Sequence, residues 1–275
     1  MNDLFGDKVE RAIELLRMYQ PKEGVFTSIS GGHERPYYGC FSGGKDSCVI
    51  KEICRIGGIN VVWHYNVTTL DPPELVRFIK KYHTDVVIDR AIMPFFDLAI
   101  KKKGFPTRSR AWCCEYYKER KSPDGSVNII GVRAFESQSR SNNYKEFTVN
   151  TRTHQWIIAP ILYWTDSEVW QFIKDKGIPY CSLYDEGFSR IGCIGCPKSS
   201  NREKELNRYP HFQRAWKRLF KALWDSRAGT ISRNGDEWMG SRRFDTWEEL
   251  YQWWLTDKGM PKESDECQGL LDFYS

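Results

Sequence analysis

Apolar positions at helical spacing open the chain: DKVERAIELLRMY, residues 7–19, predicts an amphipathic helix. A stretch rich in Gly, Ser and Pro follows, GVFTSISGGHERP, and predicts a loop. The period then changes. Strands are predicted at YYGCF (37–41), INVVWHYNV (59–67), DVVI (85–88) and VNIIGVR (127–133). Between them lie the helical stretches DSCVIKEICRI (46–56), PPELVRFIKKY (72–82) and PFFDLAIKKK (94–103), the second opened by proline. Continuous apolar strands alternating with helices predict an α/β fold, a parallel sheet with helices on both faces. From 198 to 275 the chain predicts helices and loops, with WEELYQWWL (247–255) an amphipathic helix whose tryptophans belong to a core. The expected organisation is an α/β domain over 1–197 and a small helical region over 198–275.

Parallel sheets take their ligands beyond the carboxyl ends of their strands, so the residues after each strand are the first candidates. After YYGCF come Ser42, Gly43, Gly44, Lys45, Asp46 and Ser47, and then a helix. Two glycines allow a tight turn and close approach of backbone to ligand. The helix aims free N–H groups and its positive dipole end at the same point. Lys45 adds a point charge, and Ser42 and Ser47 add hydroxyls. Together they suit a polyanion such as pyrophosphate. The GxxxxGK[ST] spacing of a Walker A loop is absent.

SGGKDS resembles the motif of the PP-loop, or N-type ATP pyrophosphatase, superfamily. Four further segments resemble phosphoadenylyl-sulfate (PAPS) reductases within it: Asn66-Val67-Thr68 to Glu74 (with Asn and Thr where Asp and Gly are usual), Gly131-Val132-Arg133 to Ser137 with Arg140, Pro160 to Thr165 (PILYWT) with Glu168 to Trp170 (EVW), and Ile178 to Tyr180 with Leu183 to Gly187 (IPYxxLYDEG). The resemblance implies an adenine nucleotide α-hydrolase-like sheet and ATP, with magnesium, cleaved between its α and β phosphates to adenylate an acceptor. It implies that Ser42–Ser47 hold the phosphates, with Lys45 and Asp46 catalytic. Arg133 and Arg140 are planar cationic forks suited to phosphate or sulfate.

Nine cysteines are spread along the chain. Cys40, Cys48 and Cys54 sit in apolar contexts and are expected to be small core residues. Cys193-Ile-Gly-Cys196-Pro is a CxxC flanked by Gly192, and the pair Cys113-Cys114 and Cys181 precede it. No histidine stands near Cys193 or Cys196, so a thiolate-only site is implied, suiting zinc or an iron–sulfur cluster. Iron–sulfur members of the PAPS and adenylyl-sulfate reductase family pair Cys-Cys with a later CxxC. A second subgroup, which includes the sulfur-transfer enzymes of DNA phosphorothioation, has a form like C…LYDxGFxRxGCxxCP, as Cys181 to Pro197 do here. The resemblance implies a 4Fe-4S cluster on Cys113, Cys181, Cys193 and Cys196, with Cys114 the alternate ligand. It also relates Cys267 to the C-terminal nucleophilic cysteine of PAPS reductases, although Gln268 interrupts that motif and a plain tail thiol fits the residues as well.

Composition narrows the class. Of the 275 residues 40% are hydrophobic and 28% charged, which excludes a membrane-spanning or a disordered chain. The N-terminal stretch lacks a signal-peptide core, and a cytoplasmic setting with reduced thiols is expected. The net charge of +5 is mild. Two stretches are strongly basic: 101–121 and 198–221 each hold eight basic and two acidic residues, interleaved with aromatics. That mixture suits a phosphate backbone with stackable bases, and equally two solvated helices with aromatic inner faces. Two activities compete: adenylation of an acceptor, DNA or RNA among the candidates, for sulfur incorporation with a donor such as a cysteine desulfurase; and reduction of PAPS or adenylyl sulfate by a thiol reductant. The intact Lys45 and Asp46 favour the first.

Overall fold

The computed structural model describes residues 4–21, 35–119, 122–123, 125–136, 141–142, 144–150, 155–226 and 244–256. In chain order the elements are α1 (Leu4–Met18), β1 (Tyr37–Cys40), α2 (Lys45–Gly57), β2 (Val61–Asn66), α3 (Pro73–Tyr82), β3 (Val87–Asp89), α4 (Phe95–Lys101), a short α5 (Trp112–Cys114) running into a wide turn at Glu115–Glu119, β4 (Val127–Ile129), β5 (Phe147–Asn150), β6 (Gln155–Ile158), α6 (Asp166–Lys176), α7 (Arg202–Arg208), α8 (Pro210–Asp225) and α9 (Trp247–Thr256). The strands form one sheet in the order β3-β2-β1-β4-β6-β5. Neighbours pair in parallel, as the alternation predicts, except β5, which runs antiparallel to β6. The reason is the connection: only residues 151–154 separate the two strands, too few for the crossover that a parallel pair requires.

Two compact units divide the chain. The first comprises Met1–Val67, Pro72–Arg90 and Lys118–Gly192; the second comprises Thr68–Asp71, Ala91–Tyr117 and Cys193–Ser275. The first holds the whole sheet, with Val127, Ile129 and Ile158 fully buried on its central strands and Val49, Ile53, Val169 and Phe172 fully buried on α2 and α6. α6 begins on a reciprocal cap: the Thr165 hydroxyl accepts from the Glu168 N–H at 3.3 Å, and the Glu168 carboxylate accepts from the Thr165 N–H at 2.8 Å. That pairing gives the Trp164-Thr165…Glu168 motif a local structural role.

The second unit is helical and aromatic. Trp216 of α8 lies against Phe95 and Phe96 at the start of α4 and against Trp254 of α9, with ring centroids 5.0, 5.5 and 4.4 Å apart. This packing of α4 on α8 places residues 91–117 with the C-terminal helices and not with the sheet. No helix among the described residues is long and apolar enough to cross a membrane.

Candidate functional site

The first unit carries the phosphate loop. Gly43 has φ 72°, a backbone that glycine adopts without strain. A Cβ there would also lie 2.7 Å from Leu75 and 2.8 Å from Ile79 of α3. Ser42, Gly44 and Ser47 knit the loop: Gly44 N–H donates to the Ser42 hydroxyl at 3.3 Å, and the Ser47 hydroxyl donates to the Gly44 carbonyl at 2.8 Å. No side chain of the loop caps α2 at Gly44. Instead the Tyr184 hydroxyl accepts from the Lys45 N–H at 2.9 Å, a hydroxyl oxygen seated where an anion's oxygen would sit.

The cations are not bare. Lys45 is only 4% exposed, and its ammonium lies 3.2 Å from Asp166, 3.8 Å from Asp46 and 3.2 Å from the Ser189 carbonyl. Arg133, 3% exposed, donates to Asp46 at 2.6 Å and to Asp166 at 2.8 Å. A buried cation is stable only with a counterion, and here Asp46 and Asp166 each face both cations, with Glu136 a further 4.0 Å partner of Arg133. Gly131, just after β4, brings that loop onto the start of α2: a Cβ there would be 3.3 Å from Asp46 and 3.4 Å from the Ser47 nitrogen. The structure therefore gathers Ser42, Gly43, Gly44, Lys45, Asp46, Ser47 and Arg133 in one place. Arg140 and Cys267 lie outside the described residues. The sequence pattern does not single out Asp166 or the role of Tyr184: Tyr184 lies inside a quoted motif and Asp166 in the gap between Thr165 and Glu168, and nothing in the one-dimensional pattern says that one carboxylate holds both cations.

The thiol loop belongs to the second unit. Gly195 (φ 75°) turns the CxxC, and a Cβ on it would be 2.5 Å from Trp216 Nε1. That indole donates to the Ile194 carbonyl at 3.3 Å. Arg202, 2% exposed, donates to the Cys196 carbonyl at 3.2 Å and the Pro197 carbonyl at 2.5 Å, and its guanidinium lies over the Trp254 ring. Glu205 accepts from the Gly195 N–H at 3.3 Å and the Ser199 hydroxyl at 2.6 Å. On the other side Ile194 N–H donates to the Leu70 carbonyl at 2.7 Å, and the Cys193 thiol lies 3.4 Å from the Thr68 hydroxyl. Next to Thr68 stands Thr69 with φ 64°, a strained setting for a β-branched residue, its hydroxyl accepting from the Phe95 N–H at 2.8 Å.

Cys113 shares this unit. Its thiol is pushed far up, first by its hydrogen bond with Cys114, then by burial, and then by the nearby Cys114, Cys193 and Cys196. Cys181 belongs to the first unit, 1% exposed, where burial raises its thiol and Glu74, Glu186 and Asp185 add to the shift. Among the described residues no three His, Cys, Asp or Glu side chains already converge on one point. What the second unit offers is four thiols, Cys113, Cys114, Cys193 and Cys196, a donor set that fits a thiolate-bound metal or cluster. Cys48 and Cys54 are core residues as expected, each 2% exposed with the thiol pushed up to about 12 by burial. Of the aromatics in the basic stretches, Tyr117, Tyr209, Trp216 and Phe220 are buried, whereas Trp112, Tyr116 and Phe212 are half-buried.

The phosphoadenosine phosphosulfate reductase domain matches residues 37–199. An uncharacterised protein of Methanocaldococcus jannaschii is 31% identical over 244 residues, 80% of this chain and 48% of that protein. An adenosine 5'-phosphosulfate reductase of Staphylococcus epidermidis is 31% identical over 110 residues, 36% of this chain and 45% of that one. The chain thus spans about half the length of these curated relatives. A crystal structure of the PAPS reductase of Candida auris in complex with phosphate matches 70% of this chain and 95% of its own, with TM-score 0.48 and 17% identity.

Proposed function

Because this chain belongs to the phosphoadenosine phosphosulfate reductase domain family, we propose that it is an adenine-nucleotide enzyme that cleaves ATP between the α and β phosphates and adenylates an acceptor for sulfur incorporation. The observation that carries this reading is the β1–loop–α2 junction with Lys45 and Asp46 both in place. The N–H groups at the start of α2 and the Lys45 ammonium would take the charge that develops on the leaving pyrophosphate. Arg133, with Arg140, would hold a further phosphate oxygen, and magnesium arriving with the nucleotide would take a carboxylate oxygen from Asp46. The acceptor attacks the α phosphorus and pyrophosphate leaves; sulfide-level sulfur, released by a thiol reductant from the persulfide of a donor such as a cysteine desulfurase, then displaces AMP.

Cys113, Cys193 and Cys196, with Cys114 as fourth ligand in place of Cys181, would hold a 4Fe-4S cluster, zinc being the alternative metal for the same thiolates. When bound, such a cluster supplies one-electron or sulfur-binding chemistry. The chain's own contribution is the clamp of Arg202, Glu205 and Trp216, which fixes the loop that carries two of the thiols.

The adenosine 5'-phosphosulfate reductase among the relatives favours a second reading, reduction of a sulfonucleotide with Cys267 as the nucleophile. Two assays on anaerobic protein separate them. Pyrophosphate release from ATP supports the first; sulfite release from adenylyl sulfate or PAPS with a thiol reductant, and none of the former, replaces it with the second.

A further inference from the structure

α8 has two faces of opposite character. Trp216, Leu219, Phe220 and Leu223 are buried, while Arg214, Lys217, Arg218 and Lys221 are exposed along the other side. Four cations thus follow one another at i, i+3, i+4 and i+7, a row about 10 Å long at 1.5 Å per residue. No acidic residue stands in the first turn, and Asp225, paired with Lys221 at 2.7 Å, is the acidic residue of the helix. Arg214 and Arg218 have no carboxylate partner among the described residues. In the same unit Lys101, at the end of α4, and Lys102 and Lys103 just after it are also exposed.

The chemistry of the occupant follows from what this face lacks. A protein partner needs apolar anchors at the centre of its interface. Among the described residues no large hydrophobic side chain is exposed on α7, α8 or α9. A single strand of nucleic acid needs fully exposed aromatic platforms, and here Tyr209, Trp216 and Phe220 are buried and Phe212 is half-buried. What remains is a rigid helix studded with cations, which fits a regular array of phosphates. The major groove of B-form DNA admits an α-helix, whereas that of an A-form RNA duplex is too deep and narrow.

From this we infer that the exposed face of α8 docks on the phosphate backbone of duplex DNA, without base selection. The proposal goes beyond the nucleotide chemistry and does not depend on it. The test is fluorescence anisotropy of a short labelled DNA duplex titrated with the full chain, without nucleotide, over a series of salt concentrations. Binding is expected to be indifferent to sequence and to weaken linearly in log–log form with salt. The triple variant R214E/R218E/K221E should bind about tenfold more weakly or worse and flatten the salt slope, because each lost phosphate contact removes about 0.9 from it. These side chains are exposed, so circular dichroism should match the parent. The surface variant K80E/K81E on α3 should bind as the parent does. Absent binding at low salt, unchanged binding by the triple variant, or preference for single strands or an RNA duplex would each overturn the proposal, while leaving the nucleotide reading standing.

Discussion

The phosphate loop and the thiol loop are both short turns that present reactive groups, but they are held by opposite means. The first is built from backbone and buried charge: a glycine at positive φ, the start of α2, and two cations neutralised by Asp46 and Asp166. The second is built from side chains of packed helices: Arg202, Glu205 and Trp216 each fix a different backbone group of Ile194–Pro197. The difference teaches where each site is vulnerable. Charge substitutions should disable the first loop while leaving its fold, and loss of a clamp residue should loosen the second loop while leaving its thiols.

The largest effect tests the charge side of that contrast. Lys45→Met should lower pyrophosphate release from ATP by about 100-fold or more, the scale of losing one group that stabilises a developing anion, with an unchanged circular dichroism spectrum. Turnover within a few-fold of the parent would break the comparison. On the thiol side, Cys193→Ser and Cys196→Ser should strip bound iron, measured by metal analysis and by loss of visible absorption in anaerobic protein. Cys114→Ser should do the same and Cys181→Ser should not; the reverse pair of results would return Cys181 to the ligand set.

How legible each loop is in the sequence follows from the same contrast. SGGKDS is contiguous, so its turn, its helix and its charge can be read in order, and the predicted strands and helices around it recur in the fold within a few residues. Cys193 and Cys196 are legible for the same reason. Asp166 lies far along the chain from Lys45, and Arg202 acts on Cys196 only because α7 folds back on the loop. The antiparallel β5 is illegible from alternation alone, since a short strand on a sheet edge carries no helix to announce it. The basic stretches were ambiguous because a helix buries its aromatics at the same spacing at which it could display them; burial decides that, and sequence does not.

A smaller effect sharpens the clamp. Arg202→Met should destabilise the protein by about 1–3 kcal/mol, since it leaves two carbonyls without their buried donor. It should also speed iron loss to a chelator several-fold while pyrophosphate release from ATP changes little. If chelation and stability both match the parent, the helices do not hold the loop.

The smallest effect concerns acid, and it should fall on the first unit. His83 is 8% exposed, its ring between Phe41 and Phe78, with the Cys48 thiol 3.7 Å from Nε2 and the Lys51 ammonium 3.3 Å from Nδ1. Burial, and then the Lys51 charge, lower it from 6.5 to about 4, with Asp85 opposing weakly. The unfolded chain therefore takes up a proton that the folded unit resists, so the contribution of neutral His83 is complete above pH 6.5 and fades as pH falls toward 4. Thermal melts of the parent should drop by a few degrees between pH 7 and pH 5, and those of His83→Gln should drop less. Equal drops in the two proteins would mean that acid acts elsewhere. Hydrogen exchange at pH 5 locates the effect: amides of α2, which carries both Cys48 and Lys51, should lose protection, while those of α8 keep theirs.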